Sequence, residues 1–359
     1  MSKEVFSVLV YMGTITAFGF GCSSLKDSRT DTIDMIMDDY LSPAAPGAAV
    51  LVMKNDSVVL NRAYGSANLE EAEPIRPITN FRLASLTKEF TAMCIMILAE
   101  RNLLSYDDSV DKYFPDFPSY GKGITVRHLL HHTSGLMDYE SLIPDSQTVQ
   151  VRDEDCLKLL MSVDSLEFPS GQRYQYSNTG YAFLALIVEK VSGERFADFL
   201  KENIFNVAGM ATSVALEEGI SSVVNRAYGY SSENGRWIRT DQSVTSAVLG
   251  DGGIYSNVME LSQWISAVYH HKFVSYNTQR MAWEGGTLND GTTIDYGFGW
   301  HLEAYQGKSQ PYHGGSTMGF RNNIQLFPQD QLMVVILTNR NEGDPGKEAR
   351  KIAELFLNK

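Results

Sequence analysis

Two blocks of strand-like sequence stand at opposite ends of this chain, and they constrain its fold more than any other feature. Near the start, Ala48 to Lys54 and Ser57 to Gly65 are joined at Asn55-Asp56, a turn dipeptide. Near the end, Gly297 to Ala304, Phe320 to Phe327 and Leu332 to Asn339 carry alternating or continuous apolar runs. Between the blocks, over about residues 100–290, the pattern is mixed helix and loop. Ile33, Met37 and Leu41 predict a helix over 31–41, and another closes the chain over 346–357. The expected class is therefore α/β of the α+β type: an antiparallel β-sheet flanked by helices, with an inserted, mostly helical lobe. With 359 residues, 43% of them hydrophobic, the chain can bury a core of that size. The predicted sheet lobe takes about 41–100 and 290–359, and the helical lobe about 101–289, with a cleft between them.

Ser85-Leu86-Thr87-Lys88 stands at the mouth of an apolar run, Phe90 to Leu98. On a helix, positions i and i+3 share a face, so the hydroxyl and the amine nearly touch. A serine alone is a poor nucleophile because its proton has nowhere to go, and an uncharged amine beside it can take that proton. The pair reads as nucleophile and base of an acyl-transfer site. Spacing alone is a weak signal, since Ser23 and Lys26 share it. The plain alternative is a helix cap at Ser85 with a solvated Lys88.

Two more segments complete a constellation. Tyr176-Ser177-Asn178 lies in a loop containing Pro, Gly and Ser, ahead of an apolar helix over 182–191 that Gly193 ends. A phenol near a protonated lysine can pass a proton to a leaving group, and an asparagine amide can bind a substrate carbonyl or the lysine. Tyr255-Ser256-Asn257 is a rival copy that spacing does not separate from the first. His313-Gly314-Gly315-Ser316 precedes the strand over 320–327. Its glycines let a substrate backbone approach a strand edge, where a backbone N–H can join that of Ser85 in an oxyanion hole. His313 would contact a substrate carboxylate or the tyrosine–lysine network, the plain alternative being a surface histidine in a hairpin turn.

Ser-x-x-Lys, Tyr-x-Asn and His-x-Gly, in that order, resemble the motifs of the serine β-lactamase and penicillin-binding-protein superfamily. Phe81 to Ala92 and Ile124 to Leu136 are similar to segments of the class C β-lactamase-related hydrolases, and Gly250 to Gly253 and Tyr296 to Trp300 also fit. The resemblance runs from about residue 40 to the C-terminus and selects Tyr176 over Tyr255. It implies a β-lactamase/transpeptidase-like fold and a serine hydrolase that acts through an acyl-enzyme on ester or amide bonds. Ser85 would be the acylated serine, Lys88 its base partner and Tyr176 the group that activates the attacking atom. Asn178, His313, Gly315 and Ser316 would bind substrate, with the N–H groups of Ser85 and Ser316 on the oxyanion. No metal or organic cofactor is implied. True class C β-lactamases carry lysine where His313 stands. A histidine is mostly neutral at pH 7, which favours esters or peptides over β-lactams held by their carboxylate. A true β-lactamase, a D,D-carboxypeptidase or a catalytically silent penicillin-binding sensor are the alternatives.

His128, His131 and His132 invite a metal reading, but no Glu lies between His128 and His132 to complete His-Glu-x-x-His. The resemblance implies a structural segment there. Asp107, Asp108 and Asp111 read as a capped turn and helix start. The net charge of −13, with no basic run, argues against nucleic acid and against charge-led adhesion to anionic membranes, leaving a small-molecule or peptide substrate. Lys3, an apolar stretch from Val5 to Phe20 and then Gly21-Cys22-Ser23 read as an export signal over 1–22 of lipoprotein type. Cys22 would be the lipid anchor in a periplasm or cell envelope. Gly19 stands where such sites usually carry leucine, so a plain secretory peptide is the other reading. Residues 23–40 would be tether and first helix, and 41–359 the hydrolase domain. Cys94 reads as a buried free thiol, and nothing requires it to pair with Cys156.

Overall fold

In the computed structural model, which describes residues 28–357, the two strand blocks join into one sheet. The predicted export segment and Cys22 lie outside the described residues. The elements that build and position the site are, in chain order, helix α1 (Ser28–Ile36), strands β1 (Ala48–Lys54), β2 (Ser57–Tyr64) and β3 (Phe81–Arg82), and helix α2 (Thr87–Glu100). Helices α3 (Asp153–Met161) and α4 (Asn178–Ser192), strand β4 (Val214–Ala215), the short helix α5 (Leu249–Gly252), strand β5 (Ile254–Ser256) and helix α6 (Val258–Tyr269) follow. Strands β6 (His301–Tyr305), β7 (Lys308–Thr317), β8 (Phe320–Phe327) and β9 (Leu332–Thr338) and helix α7 (Pro345–Glu354) complete the set.

The main sheet is antiparallel throughout, with strand order β6-β7-β8-β9-β1-β2. β9 pairs with β1 inside this sheet, where Val50 faces Ile336 and Val52 faces Val334. Both strands are apolar at nearly every position because both faces are covered. Ala49, Leu51 and Met53 join the core that includes Leu261 and Ile265 of α6. Ala48, Val50 and Val52 join a second core with Ile33 and Met37, and with Ala349, Ile352 and Ala353 of α7. Period-2 alternation thus splits one strand between two cores. Asn55 and Asp56, with φ of 49° and 59°, make the tight turn that the sequence predicts between β1 and β2. No helix among the described residues is long and apolar enough to cross a membrane.

Three expected elements differ in detail. The first helix runs over Ser28–Ile36 and tightens to a 3₁₀ turn at Asp38–Tyr40, so Tyr40 is buried and Leu41 is exposed. The strand expected over 297–304 begins only at His301. Gly299, at φ 78°, passes so close to α2 that a Cβ there would sit 2.7 Å from the Lys88 carbonyl oxygen. The third is β7, which sequence reading passed over, because Pro311 and two glycines lower its apparent strand character. Helix α6, although inside the 101–289 stretch, packs on β1 and β9, and a small sheet of order β3-β5-β4 joins Phe81–Arg82 to strands from within that stretch.

Candidate active site

The segment that carries Ser85 is clamped from two sides. Leu83 N–H donates to the Ile254 carbonyl at 2.8 Å, and β3 pairs with β5. From the other side, Asn322 Nδ2 on β8 donates to the carbonyls of Arg82 and Leu83, at 2.8 and 3.1 Å. Between these clamps Ala84 takes φ 51°, a left-handed backbone that costs a non-glycine residue about 1 kcal/mol. The turn delivers Ser85 to the start of α2, with Lys88 one helical turn on.

Lys88 is fully buried and makes three close polar contacts. Its Nζ donates to Asn178 Oδ1 at 2.8 Å and to the Asp251 carbonyl at 3.0 Å, and lies 3.1 Å from Ser85 Oγ. Two of the amine's substituents are thus oriented by acceptors and the third direction faces the hydroxyl. Asn178 opens α4, with its N–H held by Asp138 Oδ2 at 2.7 Å and its Nδ2 donating to Glu140 Oε1 at 3.1 Å. Ser85, Asn178 and the exposed Ser316 line one small cavity of about 40 Å³, together with Arg82, Glu140 and Asp251. Tyr176 stands on the other side of the base, its ring centre 5.0 Å from Lys88 Nζ.

The rival motif is structural. Tyr255 Oη accepts from Gln242 Nε2 at 2.9 Å and from Arg226 at 3.1 Å, and Asn257 caps α6 through the Glu260 N–H.

His313 sits beside the tyrosine–lysine network, its ring centre 6.2 Å from that of Tyr176, and the alternative of a surface histidine in a turn does not hold. His313 lies inside β7, 1% exposed, neither in a turn nor at the surface. Its Nδ1 is 2.6 Å from the Gly314 carbonyl and its Nε2 is 3.1 Å from Tyr296 Oη, so both nitrogens are occupied and neither is offered to a substrate carboxylate. Burial, then the charges of His301 and Lys88, holds its pKa well below the usual histidine range. Gly315 lacks a side chain where the Ser85 segment approaches: a Cβ there would meet the Leu83 carbonyl oxygen at 2.2 Å. At Gly314 the nearest atom would be 3.9 Å away. Gly315→Ala is therefore expected to push β7 off the nucleophile segment, lowering turnover about 10-fold or more and costing about 1–3 kcal/mol of stability. Gly314→Ala should change neither; steady-state rates and thermal melts of the two variants check this.

Several contributors escaped sequence reading. Asp251 lies in the Gly250 to Gly253 segment singled out above, but its contact to Lys88 is through a backbone oxygen, which leaves no side-chain signal. Its carboxylate accepts from Tyr139 Oη at 2.8 Å. Burial raises the Asp251 pKa from 3.8 to about 6, against the opposing pull of Lys88. Between those two values the unfolded chain releases the proton before the folded one does. Folding therefore becomes less favourable as pH rises through that window, and the full cost, about 3 kcal/mol, is present above pH 6. Asp251→Asn is thus expected to gain about that much relative to wild type between pH 3.5 and pH 8, read from denaturant unfolding at both values. His132, Tyr296 and His301 also join Tyr176 and His313 in a layer of rings beside Lys88. Burial, then Lys88, pushes His301 down to about 4. Of the histidine trio, His131 Nδ1 pairs with the Tyr296 carbonyl, His128 Nδ1 accepts from Thr125 N–H and His132 Nδ1 from Ser177 N–H. Cys94 and Cys156 are buried free thiols.

A serine hydroxyl paired to a buried lysine beneath an antiparallel sheet defines a serine hydrolase of the acyl-enzyme kind. Comparison with known proteins agrees. The Beta-lactamase family profile matches residues 31–358, and the chain belongs to that family. Penicillin-binding protein 4* of Bacillus subtilis is 34% identical over 325 residues, covering 86% of this chain and 71% of that protein. The D-aminopeptidase of Gluconobacter oxydans is 27% identical over 308 residues; that match covers 82% of this chain but only 56% of the aminopeptidase. Among solved structures, the octameric penicillin-binding protein homologue from Pyrococcus abyssi superposes with a TM-score of 0.79 at 26% identity, covering 91% of this chain and 76% of that one.

Proposed function

We propose that the chain hydrolyses amide and ester bonds of small substrates that need no carboxylate, amino-acid amides and short peptides with a free amino end foremost. The observation that carries this is the burial of His313, which stands neutral and fully bonded where a β-lactamase would offer a cation. Glu140 on the cavity rim adds a carboxylate close to Asn178, which repels an anionic substrate group and suits an ammonium. The likeness to a D-aminopeptidase supports the same choice.

In this reading Ser85 Oγ attacks the carbonyl carbon and its proton passes to Lys88 Nζ. The N–H groups of Ser85 and Ser316 receive the developing oxyanion. Tyr176 protonates the departing amine or alcohol as the tetrahedral intermediate collapses to the acyl-enzyme. Water, giving a proton to the same network, then attacks the ester and releases the acid and Ser85. Asp251 and Asn178 hold the amine in line throughout. The signal-like residues 1–22 support export to a cell envelope, with Cys22 as lipid anchor.

A substrate panel tests the choice. D-alanine p-nitroanilide, its N-acetylated form, a p-nitrophenyl ester and a chromogenic cephalosporin are compared by kcat/KM. The expected order is free-amine anilide and ester well above the cephalosporin, with N-acetylation costing about 10-fold or more. Efficient cephalosporin turnover, or indifference to the free amine, would overturn the reading.

A further inference from the structure

We propose that His132 is a positioning residue for the Tyr176 phenol, gripping the chain around it from three directions; the inference rests on the reading of Tyr176 as proton carrier. The His132 carbonyl accepts from Gln175 N–H at 2.9 Å. Its Nδ1 accepts from Ser177 N–H at 3.2 Å. Its ring lies on the Tyr176 ring itself, with centroids 4.3 Å apart and planes tilted by 35°. Three consecutive residues centred on Tyr176 are thus each held by one histidine. His132 itself takes φ 57°, in the left-handed region that histidine enters more readily than most residues.

The far edge of the ring tells the same story. Because Nδ1 accepts, the ring hydrogen sits on Nε2. That nitrogen is buried and meets no hydrogen-bond partner among the described residues. The rings of Tyr176, Tyr181 and Tyr296 surround the imidazole at 4.3, 5.1 and 4.5 Å. A buried donor left without a partner among rings is a poor arrangement for stability alone, where a carbonyl acceptor would serve better. It is a good arrangement for seating an aromatic ring beside the base: Lys88 Nζ lies 5.0 Å from the Tyr176 ring centre and 5.5 Å from that of Tyr181. Burial, then the charge of Lys88, keeps His132 neutral, so the Nδ1 lone pair stays available to Ser177.

The test uses a matched pair of substrates with one acyl group, an alkyl amide and a p-nitrophenyl ester. An amine must be protonated to leave; p-nitrophenolate need not be. His132→Asn suits the backbone and keeps an acceptor near the place of Nδ1, but removes the ring. It is expected to lower kcat/KM for the amide about 10-fold more than for the ester, with Tyr176→Phe showing the same split more strongly. If Tyr176→Phe splits the two substrates and His132→Asn lowers both equally, or neither, His132 is merely structural and the proposal fails. If Tyr176→Phe shows no split, the reading of Tyr176 falls and takes the proposal with it. A measurement on the unaltered protein guards against a variant that does not fold: the ¹⁵N shifts of the His132 ring should report the Nε2–H tautomer at pH 6–8. The Nδ1–H tautomer would overturn the proposal equally.

Discussion

With Ser85 replaced by alanine, kcat/KM for every amide and ester substrate falls by about 10⁴-fold or more, while the fold survives. The loss is that large because no other hydroxyl is placed to take over. Ser316 lines the same small cavity but is exposed on β7, and among the described residues Ser85 Oγ is the serine hydroxyl bonded to Lys88 Nζ, at 3.1 Å. What remains should be only the modest advantage of binding a substrate against oriented backbone donors. The fold should tolerate the change because Lys88 keeps its bonds to Asn178 and Asp251, and the clamps on Arg82 and Leu83 use backbone atoms. The melting temperature should therefore move by no more than about 2 °C. Rates and melts measured on one preparation separate this outcome from simple unfolding.

Lys88→Met is the second large effect, and its signature differs. Methionine matches the length and fills the buried site, but it neither accepts the Ser85 proton nor donates to Asn178 Oδ1 and the Asp251 carbonyl. Acylation should slow by about 10³-fold or more. Stability should fall as well, by about 2–4 kcal/mol, because two buried acceptors lose their donor and the Asp251 carboxylate loses the charge that opposes its burial. Lys88→Arg keeps a donor for the same acceptors but is always protonated and cannot serve as a base, so it should be as inactive as the methionine variant. Single-turnover release of p-nitrophenol measures acylation, and denaturant unfolding measures the stability change. An active arginine variant would show that Lys88 supplies field and not proton transfer.

Much of this architecture was legible in the sequence because two periodicities were clean. The runs over 48–54 and 332–338 are apolar on both faces, and the structure sends alternate residues of each into separate cores. Ser85 and Lys88, three apart at the head of an apolar helix, are paired by helix geometry in the sequence itself. The less legible features share one cause, contact between distant segments. The ring layer beside Lys88 draws His132, Tyr176, Tyr296, His301 and His313 from four separate stretches of chain. The burial of His313 follows from β7, whose residues Pro311, His313 and Gly315 all face inward. With that strand passed over for its proline and glycines, a surface histidine stayed open as the alternative to a site residue at His313. Leu41 misled for a local reason, since a 3₁₀ turn changes which residue meets the core.

The acyl-enzyme itself is the most direct test of the account. Wild-type protein and Ser85→Ala are mixed with a p-nitrophenyl ester, quenched in acid within the first turnovers, and weighed intact before digestion and fragment sequencing. The account predicts that wild type gains one acyl group, on the peptide that carries Ser85, and that Ser85→Ala gains none. Turnover without any adduct, or an adduct mapped to another residue and retained in Ser85→Ala, would contradict it.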